Sequence, residues 1–246
     1  MNNKELFNCK SDDYARFRPS YPLIAIEWLK TKVSGEEVVD IGAGTGIFTQ
    51  LLSQLFQQVS AVEPNEDMRK KFMQFLPEIP CSAASGEATL YPENSVDLIT
   101  VAQAFHWLDE EKFKTEAMRI LRPGGKVAIV WNTTLNNDFT SERNRICRKY
   151  CPRFQRGYAG KRSPAEGDGF LRNVYFRKVE VVTFDNPFVM DLECFEGNMR
   201  SRSYALTPQD EQYDDFMAEL RTVFEQYSQK GAVVEPQETR IFLGSF

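Results

Sequence analysis

The residues best placed to do chemistry are three alternating glycines, Gly42, Gly44 and Gly46, in the run Asp40-Ile41-Gly42-Ala43-Gly44-Thr45-Gly46. Glycine lacks a Cβ, so the backbone at these positions can turn tightly and approach a ligand closely. Glu63 follows about 20 residues later at the end of an apolar run, where a carboxylate can accept hydrogen bonds from ribose hydroxyls. The spacing therefore predicts a site for a ligand that contains a nucleoside.

A second candidate is His106, the single histidine of the chain. Imidazole titrates near neutral pH, so His106 is the natural candidate for a general base or a substrate contact. The alternative is a neutral ring that forms hydrogen bonds and packs beside Trp107. Phe105 and Trp107 can flank a cationic group, because aromatic faces attract positive charge, or they can belong to the core.

The elements that must position these residues alternate between short apolar runs and amphipathic segments. Seven runs are expected to be strands: residues 38–41, 59–62, 81–84, 96–102, 126–131, 178–184 and 239–246. This alternation predicts an α/β fold with a doubly wound, seven-stranded, mostly parallel sheet. Such sheets bind ligands at the carboxyl ends of their strands, where both candidate sites lie.

Residues 1–246 are expected to form a single domain, with a cap inserted at about 135–173. Thr207 is expected to be the N-cap, and Pro208 the first residue, of a long helix that runs to about residue 229. The N-terminus has no long apolar run, and no stretch has the roughly 20 apolar residues that span a membrane. We therefore expect a cytoplasmic protein without a membrane segment.

The charge distribution bears on the partner. The net charge of −5 argues against binding nucleic acid across the whole surface. One segment is basic nevertheless, and no acid interrupts it: Arg143, Arg145, Arg148, Lys149, Arg153, Arg156, Lys161 and Arg162. Because arginine binds carboxylates and phosphates in bidentate fashion, this segment indicates an anionic small-molecule substrate. The alternative is a solvated helix face, and a nucleic acid is the weaker choice of partner.

The five cysteines are scattered and odd in number, which is typical of reduced thiols. Cys147 and Cys151 lack the third cysteine of a radical enzyme's iron–sulfur motif, and no histidine lies near them to complete a zinc site. No metal site is predicted.

The glycine run with its preceding Asp40 resembles the first motif of class I methyltransferases that use S-adenosylmethionine (SAM), in particular the methyltransferase type 11 domain. That resemblance implies SAM as cofactor, with S-adenosylhomocysteine (SAH) as product. It places the cofactor against residues spread over the first half of the chain: Asp40, Gly42, Ala43, Gly44, Gly46, Glu63, Pro64, Met68, Ser85, Gly86, Glu87, Ala102, Gln103, Phe105, Tyr14 and Arg18.

Three further motifs resemble the trans-aconitate methyltransferase-like branch: Tyr14 with Arg18-Pro19-Ser20-Tyr21-Pro22, then Gln103-Ala104-Phe105-His106-Trp107, and Ser201-Arg202-Ser203-Tyr204. The branch implies an N-terminal lid at about 1–22 and a role for His106 in the active site. Its implied substrate contacts are Trp107, Tyr21, Arg200 and Tyr204.

Two other functions stay open at this stage. One is a SAM-binding regulatory protein without turnover, since a fold does not guarantee activity. The other is an NAD(P)-dependent oxidoreductase, which shares the sheet and the acidic residue after the second strand.

Overall fold

Seven of the strands form one sheet. The computed structural model describes residues 11–154 and 164–246. In spatial order the strands are β3 (Cys81–Ser82), β2 (Gln58–Val62), β1 (Glu37–Ile41), β4 (Val96–Ala102), β5 (Leu121–Thr134), β9 (Gln237–Ser245) and β6 (Lys178–Asp185). All neighbours are parallel except β9, which is antiparallel to both β5 and β6. The predicted seven-stranded, mostly parallel sheet is confirmed.

Helices cover both faces of the sheet. The helices of the described residues are α1 (Ser11–Phe17), α2 (Leu23–Lys32), α3 (Ile47–Leu52), α4 (Glu66–Phe75), α5 (Glu110–Ile120), α6 (Asp138–Tyr150), α7 (Pro164–Phe170), α8 (Leu192–Arg200) and α9 (Tyr213–Tyr227). One face buries Ile26 and Leu52 with the strands, and the other buries Phe113 and Tyr175. No helix within residues 11–154 and 164–246 is long and apolar enough to cross a membrane.

A separate apolar cluster holds a helical layer made of α6, α8 and α9 with a two-stranded antiparallel sheet, β7 (Phe188–Met190) and β8 (Val233–Glu235). Its centre includes Phe139, Phe195 and Phe216. The cap segment expected at 135–173 contributes α6 to this layer. Residues from 188 onward supply the rest, whereas Leu171 and Tyr175 pack in the cluster on the sheet.

The predicted start of the last long helix is wrong. The helix begins at Tyr213 and ends at Tyr227, not at Thr207 and residue 229. The Asp210 carboxylate accepts hydrogen bonds from the Thr207 backbone N–H (2.6 Å) and hydroxyl (2.8 Å). These bonds close a separate turn, so Thr207 serves that turn and caps no helix.

Helix α5 ends at Ile120, and Gly124 in the Arg122-Pro123-Gly124-Gly125 run has a φ of 84°. The strand that follows is longer than the predicted 126–131. Leu121 already pairs with Val96, and the register shifts before Lys126 pairs with Leu98. The proline and the glycines therefore bulge out of a strand that has already begun.

Candidate active site

The glycine loop, Asp40 to Gly46, leads from β1 into α3 at the carboxyl edge of the sheet. Gly42, Gly44 and Gly46 all have positive φ, at 68°, 59° and 93°. The backbone N–H groups of Gly42 and Ala43 both donate to the carbonyl of Val62, at 2.8 and 3.2 Å. Side chains would be strained at such φ values, so the loop needs glycine for its path as well as for ligand approach.

Glu63 lies directly after β2 and faces this loop. One carboxylate oxygen accepts the backbone N–H of Gly44 at 2.8 Å, and the other accepts the N–H of Asn65 at 2.7 Å. Glu63 is only 7% exposed, so these charge-assisted bonds fix its orientation. A carboxylate has about four lone-pair sites, and two backbone donors leave acceptor capacity for ligand hydroxyls.

Loop and carboxylate border a cavity of about 450 Å³. Twelve of the predicted site residues line it: Tyr14, Gly42, Gly44, Glu63, Pro64, Met68, Ser85, Gly86, Glu87, Ala102, Gln103 and Trp107. Sequence reasoning missed four others: Ile41, Asn65, Ala104 and Leu108. Each is a direct neighbour of a predicted residue, so extending each motif by one position finds them all. The volume lies within the roughly 300–1,000 Å³ typical of ligand pockets.

Five of the residues predicted to contact the cofactor do not line the cavity, and Arg18 is one of them. Gly46 packs against Phe72 of α4 and Leu76 at the end of that helix. Phe105 packs edge-on against Phe113 and Tyr175. Ala43 and Asp40 are also absent from the lining.

Asp40 supports the loop from inside the core. Its two carboxylate oxygens accept the hydroxyls of Thr49 (2.6 Å) and Thr100 (2.7 Å), which ties β1 to α3 and β4. Burial raises the pKa of Asp40 to about 6, although the two threonine hydrogen bonds act to lower it. The carboxylate therefore positions the glycine loop without reaching the cavity.

Gln103 directly follows β4 and has a φ of 55°, which is uncommon for residues other than glycine. Its backbone N–H donates to the Val130 carbonyl (2.9 Å), and its side-chain amide donates to the Asn132 carbonyl (2.8 Å). These two bonds to β5 hold the bend, so the chain crosses the cavity mouth at a fixed place.

His106 follows in a short 3₁₀ turn, Phe105–Trp107. Its ring stacks on Trp131, with centroids 5.3 Å apart, and lies 4.5 Å from the ring of Trp107. Trp107 lines the cavity, whereas His106 does not. The two ring contacts place His106 beside Trp107, which is a cavity-lining residue.

The other predicted substrate residues have structural partners. Tyr21 packs edge-on against Phe48, and Tyr204 packs in the same way against Phe154. The Arg200 guanidinium forms an ion pair with Asp13 of α1 at 2.9 Å. None of these three lines the cavity.

The basic segment does not form a single face. Exposed Arg145 and Lys149 form ion pairs with Glu142 (2.9 Å) and Glu219 (2.5 Å). Arg143 instead points inward and is 4% exposed. Three of the predicted basic residues, Arg156, Lys161 and Arg162, lie outside the described residues, as does Cys9.

The N-terminal helix α1 is docked against α8. A Cβ added to Gly197 would lie 2.1 Å from the Phe17 ring, so only glycine permits this approach. The Asn198 amide also donates to the Phe17 carbonyl at 2.9 Å. This docking carries Tyr14 to the cavity wall. The lid at about 1–22 stays a prediction.

Comparison with known proteins agrees with this geometry. Residues 39–129 match the methyltransferase domain family. An uncharacterized methyltransferase of Mycobacterium tuberculosis strain H37Rv is 42% identical over 120 residues, which are 49% of each chain. An uncharacterized methyltransferase-like protein of Schizosaccharomyces pombe is 36% identical over 129 residues, again 49% of each chain. The chain thus spans about half the length of the curated relatives it matches.

Solved structures share the fold. A protein from Anaeromyxobacter dehalogenans, provisionally described as a type II methyltransferase, superposes with a TM-score of 0.66 at 21% identity, over 93% of this chain and 96% of that one. The YcgJ protein of Bacillus subtilis gives 0.56 at 19% identity, over 90% and 97%. The sheet order and these superpositions show the Rossmann-like fold of class I SAM-dependent methyltransferases. The trans-aconitate branch stays a prediction.

Proposed function

We propose that the protein transfers a methyl group from SAM to a small-molecule acceptor. The observation that carries this proposal is the pairing of a positive-φ glycine loop with the buried Glu63 carboxylate across one cavity, inside a methyltransferase domain. The cavity fits the cofactor in size, and Glu63 keeps acceptor capacity for ribose hydroxyls. The missing side chain at Gly44 leaves room for a ligand beside the loop.

The cofactor, when bound, supplies an electrophilic methyl on a sulfonium, so the protein must bind, orient and exclude water. In this assignment Glu63 holds the ribose, and Met68 and Leu108 offer apolar surface to the base. Tyr14 and Trp107 offer aromatic faces, which favour a cation such as a sulfonium. Orientation alone can lower a barrier by roughly 7–11 kcal/mol.

The acceptor in this proposal is an anion with an already ionised nucleophile, such as a carboxylate. Among the described residues, the cavity wall carries no histidine, lysine or cysteine that could act as a general base. An ionised carboxylate needs none, because it has already lost its proton at neutral pH. The half-buried Arg18, whose guanidinium lies over the Tyr14 ring, also favours a negatively charged acceptor.

The test is a transfer assay with SAM labelled on its methyl group and a panel of small carboxylic acids, each paired with its neutral amide. The proposal expects label only in products from the acids, released as methanol by mild base as esters are. Turnover of the amides alone would contradict the anionic acceptor. SAH binding without turnover of any compound would favour a regulatory protein, and NADH binding without SAH binding would favour an oxidoreductase.

A further inference from the structure

Three arginines from distant segments lie where α1 meets the helical layer; Arg143 is buried, and Arg18 and Arg202 are half-buried. Arg18 follows α1, Arg143 lies on α6, and Arg202 follows α8. The Arg143 residue is 4% exposed, and the Arg202 side chain is 18% exposed. We call these residues the arginine cluster. Burying a guanidinium costs free energy unless an anion or a hydrogen-bond acceptor compensates it, so each partner matters.

Arg143 has its counterion within the protein. It forms an ion pair with Glu235, which is fully buried. The Thr134 hydroxyl and the Gln237 amide both donate to that carboxylate at 2.7 Å. Arg202 lies at the edge of this pair, 3.9 Å from the Glu235 carboxylate, and donates to Asn198 at 2.9 Å. This part of the cluster is held together by a carboxylate of the chain.

Arg18 lies in different surroundings. Its guanidinium donates to the Ser201 carbonyl at 3.3 Å and lies 4.8 Å from the centroid of the Tyr14 ring. Within residues 11–154 and 164–246, no carboxylate lies within ion-pair distance of it, and its buried Nε–H has no acceptor. Burial and the nearby Arg202 lower the pKa of Arg18 to about 10, still well above neutrality. The group stays charged, and no carboxylate of the described residues neutralises it.

The location connects this charge with the cavity. Tyr14 lines the cavity, and the same ring carries the Arg18 guanidinium on its face. Arg18 itself is not part of the cavity lining. The hydroxyl-bearing residues Tyr21 and Tyr204 lie close enough to act on Arg18 electrostatically. An anion bound here would lie next to the cofactor cavity and outside it.

We propose that Arg18 and Arg202 form the binding site for an acid group of the methyl acceptor, beside the Tyr14 ring and outside the cofactor cavity. This inference rests on the proposed function. The ligand chemistry is an oxyanion, a carboxylate or a phosphate, on a small molecule whose reacting atom reaches past Tyr14. Two guanidiniums with tyrosine hydroxyls suit such a group, because guanidinium matches both oxyanions in charge and geometry.

The experiment is calorimetric titration of the SAH-loaded full chain with malonate, citrate and inorganic phosphate as separate probes. Arg18→Met and Arg202→Met each remove a guanidinium and keep an apolar stem. Arg145→Met is the matched control, because it removes the same charge from an exposed ion pair with Glu142. We expect at least one probe to bind the wild type and to bind Arg18→Met and Arg202→Met at least tenfold more weakly. The control should stay within twofold, and SAH affinity should stay within threefold in all variants.

A second measurement does not depend on the probe. Arg18→Met removes a half-buried charge that has no counterion in the described residues. The ligand-free variant should therefore unfold at the same or a higher temperature than the wild type. Arg143→Met breaks the buried pair with Glu235 and should unfold at a lower temperature. A clearly lower unfolding temperature of Arg18→Met would show that the protein itself satisfies this guanidinium and would overturn the inference.

Two other results would also overturn it. One is SAH binding by the wild type with no binding of any probe, or with equal binding by the two variants. The other is a loss of SAH affinity in Arg18→Met, which would assign the guanidinium to the carboxylate of the cofactor. Failure of the wild type to bind SAH at all is a different result, because it would overturn the proposed function.

Discussion

The cofactor cavity and the arginine cluster meet at Tyr14, but they are built in different ways. The cavity depends on backbone: the glycine loop, two N–H groups directed at Glu63, and the fixed bend at Gln103. The arginine cluster depends on long side chains from three segments and on a buried ion pair. A site built from backbone suits a ligand that is common to a whole domain class. A site built from side chains can change its ligand through amino-acid substitution. A fold that serves many acceptors needs both kinds of site.

The largest expected effect lies in the arginine cluster. Glu235→Gln leaves Arg143 buried without its counterion and should lower the free energy of unfolding by about 3–5 kcal/mol. Glu142→Gln on the exposed Arg145 pair of the same helix should cost about 0–1 kcal/mol. Urea unfolding of both variants measures the difference. Equal losses would show that burial does not distinguish the two ion pairs.

The next effect lies in the cavity. Gly44→Val places a branched side chain at positive φ, where the added Cβ meets only Tyr14 within 4 Å and projects toward the ligand. SAH affinity should fall at least 100-fold, about 2.7 kcal/mol. Gly124→Val is the control, because it has similar backbone strain at a φ of 84° and open space around the Cβ. Equal SAH affinity in the two variants would contradict the placement of the ligand.

The third prediction concerns Asp40, which supports the glycine loop from the core, and the pH dependence of the free energy of unfolding. Burial raises the pKa of Asp40 from 3.8 to about 6, because ionisation is less favourable in the folded protein than in the unfolded chain. Ionisation of Asp40 therefore lowers the free energy of unfolding. This loss is absent below pH 4, grows between pH 4 and 6, and is complete above pH 6. Asp40→Asn stays neutral throughout. Relative to the wild type, the variant should gain roughly 2–3 kcal/mol in unfolding free energy between pH 4 and 7. A pH-independent difference, read from urea unfolding at several pH values, would contradict the raised pKa.

The smallest effect concerns His106. If its ring serves to orient Trp107, His106→Phe should keep turnover within threefold, whereas His106→Ala should lose about tenfold, since aromatic pairs contribute about 0.5–1.5 kcal/mol. The measurement is the rate of methyl transfer to the best acid of the panel. Equal, large losses in both variants would restore His106 as a base.

The contrast between the backbone-built cavity and the side-chain-built arginine cluster also explains which parts of the site the sequence could predict. The glycine loop and Glu63 are close in the chain, and alternating glycines after a strand have few other uses, so this half of the site was predictable. The contact of Arg18 with Ser201 spans 183 positions and depends on how α1 docks against α8. No local pattern encodes that docking. For the same reason the sequence favoured Arg200 as a substrate contact, although it forms an ion pair with Asp13.

The central claim is that Glu63 and the glycine loop bind the cofactor, and calorimetric titration of SAH tests it most directly. The wild type should bind one equivalent. Glu63→Gln replaces one carboxylate oxygen with an amide nitrogen that faces the N–H of Gly44 or Asn65. The variant should bind SAH about 10–100-fold more weakly, because hydrogen bonds to charged groups contribute about 1.5–3 kcal/mol. No binding by the folded wild type, or equal binding by the variant, would contradict the account.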